Sequence, residues 1–196
     1  GNIKPRWGFI NRSLHSYYQK TYESLKKQIS ENQEQIASEE IGELMHFIQD
    51  MSVPAHVIPI FHVFGLPDPF DSYEPTSQPT LKIDKQTCRE LATDKSDAID
   101  ILNESATKTL NAVLGSPRLT GTWLNYWQVN TDTDNKDGFG DYGVCGRKGF
   151  GITADAPCDI TSDKYDAFYN KQYERAVHSS IRLLFHVNQL LIHEMN

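Results

Sequence analysis

No run of this 196-residue chain approaches the roughly 18 consecutive apolar residues of a membrane-spanning helix, and no apolar signal-peptide core opens it. A helical membrane span is thereby excluded. Basic charge is short as well: 19 Lys and Arg stand against 26 Asp and Glu, a formal net charge of −7 with a pI near 5.4. No basic surface advertises a nucleic-acid partner, so a phosphate-bearing substrate would have to be met by bound cations. Cysteine is sparse. Three cysteines are too few for a disulfide scaffold, and none forms a CxxC pair, which argues against a thiolate zinc site. Cys145 and Cys158 bracket a Gly-rich loop and would close a small disulfide in an exported chain, leaving Cys88 free; three reduced cysteines is the alternative.

Strand-like alternation is scarce too, and what remains is helical periodicity. The composition, 38% hydrophobic and 23% charged, suits one globular domain spanning residues 1–196. Leu14, Tyr17, Tyr18, Tyr22, Leu25 and Ile29 recur at threes and fours and predict a helix over 11–29, with Ser13 as a candidate cap. Residues 30–40 are polar and acidic and read as a helix–helix connection. A central helix follows and ends near Ser52 or Val53, because Pro54 lacks an amide hydrogen and disfavours helix in the residue before it. Five prolines between 59 and 79 predict an ordered loop. Residues 84–114 read as one or two helices, with Asp94, Asp97 and Asp100 on a solvated face. Residues 118–160 are aromatic and loop-like, and their run 132–138 departs from the EF-hand pattern. A last helix covers Ser162 to Met195, with His178, His186 and His193 at its surface or core edge. The fold class is all-α with one irregular excursion.

The chemistry gathers at the end of the central helix. Ile41, Leu44, Met45 and Ile48 mark its apolar face, and His46 and Asp50, four residues apart, stand one above the other on a neighbouring face. The turn at Pro54 can bring His56 back beside them. Taken singly, these are two part-buried histidines and a helix-surface carboxylate. Taken together, they are nitrogen and oxygen donors in the mix that zinc prefers.

The string His46-x-x-x-Asp50-x-x-x-Pro54-Ala55-His56, followed by His62 and Asp68-Pro69-Phe70-Asp71-Ser72-Tyr73-Glu74, resembles the signature of the zinc-dependent phospholipase C and P1/S1 nuclease superfamily, in its bacterial phospholipase C-like branch. The match covers residues 41–74. The resemblance implies one to three Zn²⁺ ions, with His46, Asp50 and His56 as ligands and Asp50 at the catalytic centre. It further implies a second site that uses His62 and one of Asp68, Asp71 or Glu74. Trp7 and His15 correspond to the family's amino-terminal Trp and the His that follows it on a third ion. The family's further Asp and His are missing between His15 and His46, where Glu23, Glu31, Glu34, Glu39, Glu40 and Glu43 are the only acidic residues. The implied activity is phosphodiester hydrolysis, with a phospholipid headgroup or another phosphodiester as substrate and a secreted or periplasmic location. The alternatives are a single-strand nuclease, with Trp123 or Trp127 stacking on bases, and a metal-stabilised module without activity.

Overall fold

Helical periodicity translates into six α-helices among the described residues. The computed structural model describes residues 14–58, 60, 68–76, 81, 83–115, 122–129, 140–146 and 162–194. In chain order the helices are α1 (Leu14–Ser30), α2 (Glu34–Asp50), α3 (Pro54–Val57), α4 (Lys85–Ala92), α5 (Ala98–Leu114) and α6 (Ser162–Glu194). Extended structure among these residues is one antiparallel pair, β1 (Trp127–Gln128) and β2 (Asp141–Tyr142), with Trp127 opposite Tyr142, and one isolated bridge between Ile60 and Gly140. The protein is all-α. None of the described helices is long and apolar enough to cross a membrane.

The connection expected over 30–40 shrinks to residues 31–33, since α2 already starts at Glu34. Ala37, Leu44 and Ile48 continue one buried stripe; of the acidic residues between them Glu39 is exposed, and Glu40 and Glu43 are half-buried along the edge that meets α1. Asn32 adopts a left-handed φ of 55° and reverses the chain. α1 and α2 therefore pair as an antiparallel hairpin. Thr21 donates to Glu43 at 3.4 Å and Ser24 to Glu40 at 2.6 Å, so the partner numbers run in opposite senses.

The segment 84–114 divides into two capped helices. Asp84 accepts from the Thr87 amide and Asp97 from the Asp100 amide, both at 2.8 Å, each meeting a donor that a first helical turn leaves open. Gly115, at φ 74°, closes α5. The solvated face expected for Asp94, Asp97 and Asp100 is thus only partly so. Asp97 is a cap, and Asp94 accepts hydrogen bonds from Arg182, on α6, and from Ser96.

Two apolar cores form. The first joins Tyr18 and Leu25 of α1, Leu44 and Ile48 of α2, Ile101 of α5 and Leu183 of α6. The second gathers Ala55, Phe70, Val113, Trp127, Tyr165 and Phe168, with Phe70 edge-on to Trp127 at 5.7 Å. α6, about 50 Å long, passes both. Between the cores the buried residues turn polar, with Ser52, Ser105, Thr109 and Gln172 each at most 3% exposed. His186 serves the first core's edge, where it hydrogen-bonds Tyr22 Oη at 2.6 Å.

β1, β2 and the turn before them meet at close range. A Cβ on Gly143 would lie 2.2 Å from the carbonyl oxygen of Asn125, so alanine there must push two backbones apart. We expect Gly143→Ala to destabilise the protein by about 2 kcal/mol, read as a lower urea midpoint; an unchanged midpoint would mean that this corner yields freely. Beside it, Cys145 is buried and disulfide-bonded, whereas Cys88 is free. Its expected partner Cys158, the cap candidate Ser13 and the run 132–138 lie outside the described residues.

Candidate metal centre

Helix geometry alone stacks His46 over Asp50 in the last turn of α2, with His46 Nε2 3.6 Å from Asp50 Oδ2. Pro54 then opens α3, where its missing amide hydrogen costs nothing. Two residues later His56 points back, and its Nδ1 lies 3.4 Å from the same Asp50 Oδ2. Its other nitrogen, Nε2, stands 3.8 Å from Asp71 Oδ2 on the loop 68–76.

Packing and polar anchors hold that loop. Phe70 is buried in the second core. Asp68 is 1% exposed and has both oxygens engaged: Oδ1 accepts from the Phe70 amide at 2.7 Å and Oδ2 from Tyr142 Oη at 2.5 Å. Farther along, the Tyr73 and Thr76 hydroxyls both donate to the Asp166 carboxylate of α6. With the loop pinned on either side, Asp71 is the carboxylate presented to His56. Glu74 points into solvent.

The electrostatics follow from these contacts. Burial works against a charged His56, but the neighbouring Asp50 and Asp71 carboxylates outweigh it and lift the imidazole to about 10. Burial raises the Asp68 carboxyl, against the hydrogen bonds from Tyr142 and the Phe70 amide, which pull it down. The hydroxyls of Thr76 and Tyr73 hold Asp166 below the usual carboxylate range.

Among the described residues, no group of three or more His, Cys, Asp or Glu side chains converges as a formed metal site. Ligands about 2.0–2.1 Å from one tetrahedral ion stand about 3.3 Å from each other, and both histidines approach Asp50 Oδ2 near that separation rather than at hydrogen-bond length. His46, 71% exposed, has room to rotate.

Of the other residues singled out in the sequence, His15 is exposed in the first turn of α1. The hairpin register that pairs Thr21 with Glu43 puts it level with Gln49, at the same end of the molecule as Asp50. Trp7 and His62 lie outside the described residues. Trp127 is fully buried, which takes away the stacking surface expected of it, and Trp123 is partly buried with its ring 4.2 Å from that of Phe168.

Sequence reasoning misses a cavity of about 180 Å³ beside the cluster, lined by Asp71, Gln49 and Ser52 on one side and Tyr169, Gln172 and Tyr173 of α6 on the other. A signal for it exists. Tyr165, Phe168, Tyr169, Gln172 and Tyr173 fall on one helical face, where Gln172 is the polar residue at a core-facing position. Compared with family models, curated proteins and solved structures, the chain finds no match.

Proposed function

We propose that the protein is a zinc-dependent phosphodiester hydrolase of the phospholipase C kind. The observation that carries the reading is the sharing of Asp50 Oδ2 between His46 Nε2 and His56 Nδ1. In this reading His46, Asp50 and His56 bind the ion. Asp71 stands behind His56, where a carboxylate near the second imidazole nitrogen fixes the ring's tautomer and orientation. Bound zinc supplies Lewis acidity and a water of lowered pKa. The disulfide at Cys145 fits a secreted or periplasmic protein. The formal charge of −7 and the burial of Trp127 favour a small or lipid-headgroup diester over single-stranded nucleic acid.

The first test is elemental analysis of protein purified without added metal or chelator, followed by assays on bis(p-nitrophenyl) phosphate, a water-soluble choline phosphodiester and a single-stranded oligonucleotide. One to three zinc ions per chain and chelator-sensitive cleavage of the small diesters are expected. Preference for the oligonucleotide would select the nuclease reading. Zinc without cleavage of any of the three would leave a metal-stabilised module, and absence of zinc would end the proposal.

A pH dependence follows from His56. Its folded pKa is raised, so in metal-free protein its pairing with Asp50 and Asp71 contributes full stability below about pH 6.5, lost as pH climbs through about 10. Zinc accepts only the neutral ring, so the ion must displace that proton. Titration calorimetry at pH 7 in buffers of different ionisation enthalpy should show release of about one proton from this group per zinc, and affinity should rise about tenfold per pH unit toward pH 10. A buffer-independent enthalpy would remove His56 from the ligand set.

A further inference from the structure

The cavity beside Asp71 is lined by two hydrogen-bond donors that none of the described residues uses. Gln172, 1% exposed, accepts from Arg175 Nη1 through Oε1 at 2.6 Å. Because a guanidinium has only donors, this contact assigns the amide: Oε1 faces the arginine, and the NH₂ group is the end left over. Its Nε2 has no hydrogen-bond partner, and neither has Ser52 Oγ, although both side chains are buried and both line the cavity. Leaving such groups unmet costs on the order of 1–3 kcal/mol each, so their arrangement here calls for an acceptor from outside. Acceptors of the protein's own line the same cavity: the Asp71 carboxylate, and Gln49, whose Nε2 is engaged with Ser180 Oγ at 3.2 Å and whose Oε1 remains to accept. The wall is aromatic, with the Tyr169 and Tyr173 rings within 14° of parallel.

We infer that this cavity binds a cyclic polyol, the ring of an inositol or hexose headgroup, next to the proposed metal centre; the inference rests on the hydrolase reading only for its catalytic meaning. Hydroxyl groups both donate and accept, so one ring satisfies the donors Gln172 and Ser52 together with the acceptors Asp71 and Gln49. The flat C–H faces of such a ring lie against the tyrosines. A trimethylammonium headgroup has no acceptor and would bury the two donors unmet. The volume of about 180 Å³, below the roughly 300 Å³ where drug-sized pockets begin, holds one ring and little more.

The test is ligand-observed saturation-transfer NMR on the protein as purified, with myo-inositol, methyl glucoside, choline and cytidine as separate probes. Myo-inositol or methyl glucoside should bind, and Gln172→Leu and Tyr173→Ala should each weaken that binding about tenfold. Tyr173 is 42% exposed, so its variant keeps the test open should Gln172→Leu fold poorly. Failure of both polyols to bind, polyol binding indifferent to both substitutions, or a preference for choline or cytidine that the substitutions abolish would each overturn the assignment. Binding requires no turnover. Polyol binding in a protein that holds no zinc and cleaves no diester would keep the cavity assignment and remove the hydrolase; cleavage of a choline diester without polyol binding would do the reverse.

Discussion

Replacing Asp50 by alanine is expected to strip zinc from the protein and leave its helices in place. Both histidines of the cluster approach one oxygen of this carboxylate, at 3.6 and 3.4 Å, so in the proposed reading its removal takes away a ligand and also the group around which the other two are arranged. Loss of a partner merely behind a ligand typically costs 10–100-fold in metal affinity, and loss of the ligand itself should cost about 100-fold or more. The side chain sits at the last residue of α2, outside both apolar cores, so far-ultraviolet circular dichroism should be unchanged. His46→Ala should act in the same direction. Metal content unchanged in both variants would sink the site assignment, whatever activity the protein shows.

The second large effect concerns stability. Arg182 of α6 is 10% exposed; its Nε donates to Asp94, and its Nη2 to Glu104 Oε2 at 2.6 Å and Ser96 Oγ at 3.0 Å. One guanidinium thereby binds α6 to α5 and to the segment between α4 and α5. Breaking a fully buried pair costs about 3–5 kcal/mol. Here Glu104 is 41% exposed and keeps Lys108 at 2.5 Å, so solvent and the remaining partner discount its share. Arg182→Ala should cost about 2–3 kcal/mol, a fall in Tm of roughly 5–10 °C for a chain of this size. The effect should depend on pH. Burial raises the Asp94 carboxyl, but Ser96 and Arg182 hold it below its usual range; Lys108 and then Arg182 hold Glu104 down against burial. Depressed carboxylates stabilise above their unfolded pKa values, near 4, and lose that contribution as pH falls through the folded ones. The Tm gap between variant and parent should therefore close below about pH 4; a gap that persists there would assign the loss to packing of the arginine's stem.

How much of this can be read from the chain depends on how local the cause is. The stacking of His46 on Asp50 follows from a four-residue spacing, and the return of His56 from the chemistry of Pro54, so the cluster is legible in the residue order alone. The helix end at Gly115 has an equally local cause, whereas Asp97, expected on a solvated face, caps α5 instead. Residues 34–40 are not legible, because the buried side of a polar helix is marked there by little more than Ala37 and Ile41, and the acidic residues around them mimic a connection. Asp94 looks like one of three solvated carboxylates until α6 brings Arg182 to it from 88 positions away. The choice among Asp68, Asp71 and Glu74 depends on Tyr142 and Phe70 capturing Asp68, contacts that no spacing within 68–74 encodes. Gln172 is visible as a polar residue on an aromatic face, but its orphaned amide requires Arg175 in place.

The polar belt of Ser52, Ser105, Thr109 and Gln172 has a consequence for how the molecule transmits strain. On α5 and α6 the buried residues between the cores are polar, so less of the contact there is interlocking hydrocarbon. α5, from Ile101 to Val113, and α6, from Phe168 to Leu183, both run unbroken through that layer, so tension raised at Phe168 arrives at Leu183 as a tilt or rotation of a helix axis. Gln172 rides on α6 beside the cavity that Asp71 also lines, where such a tilt would be felt as a change in the distance between α6 and Asp71.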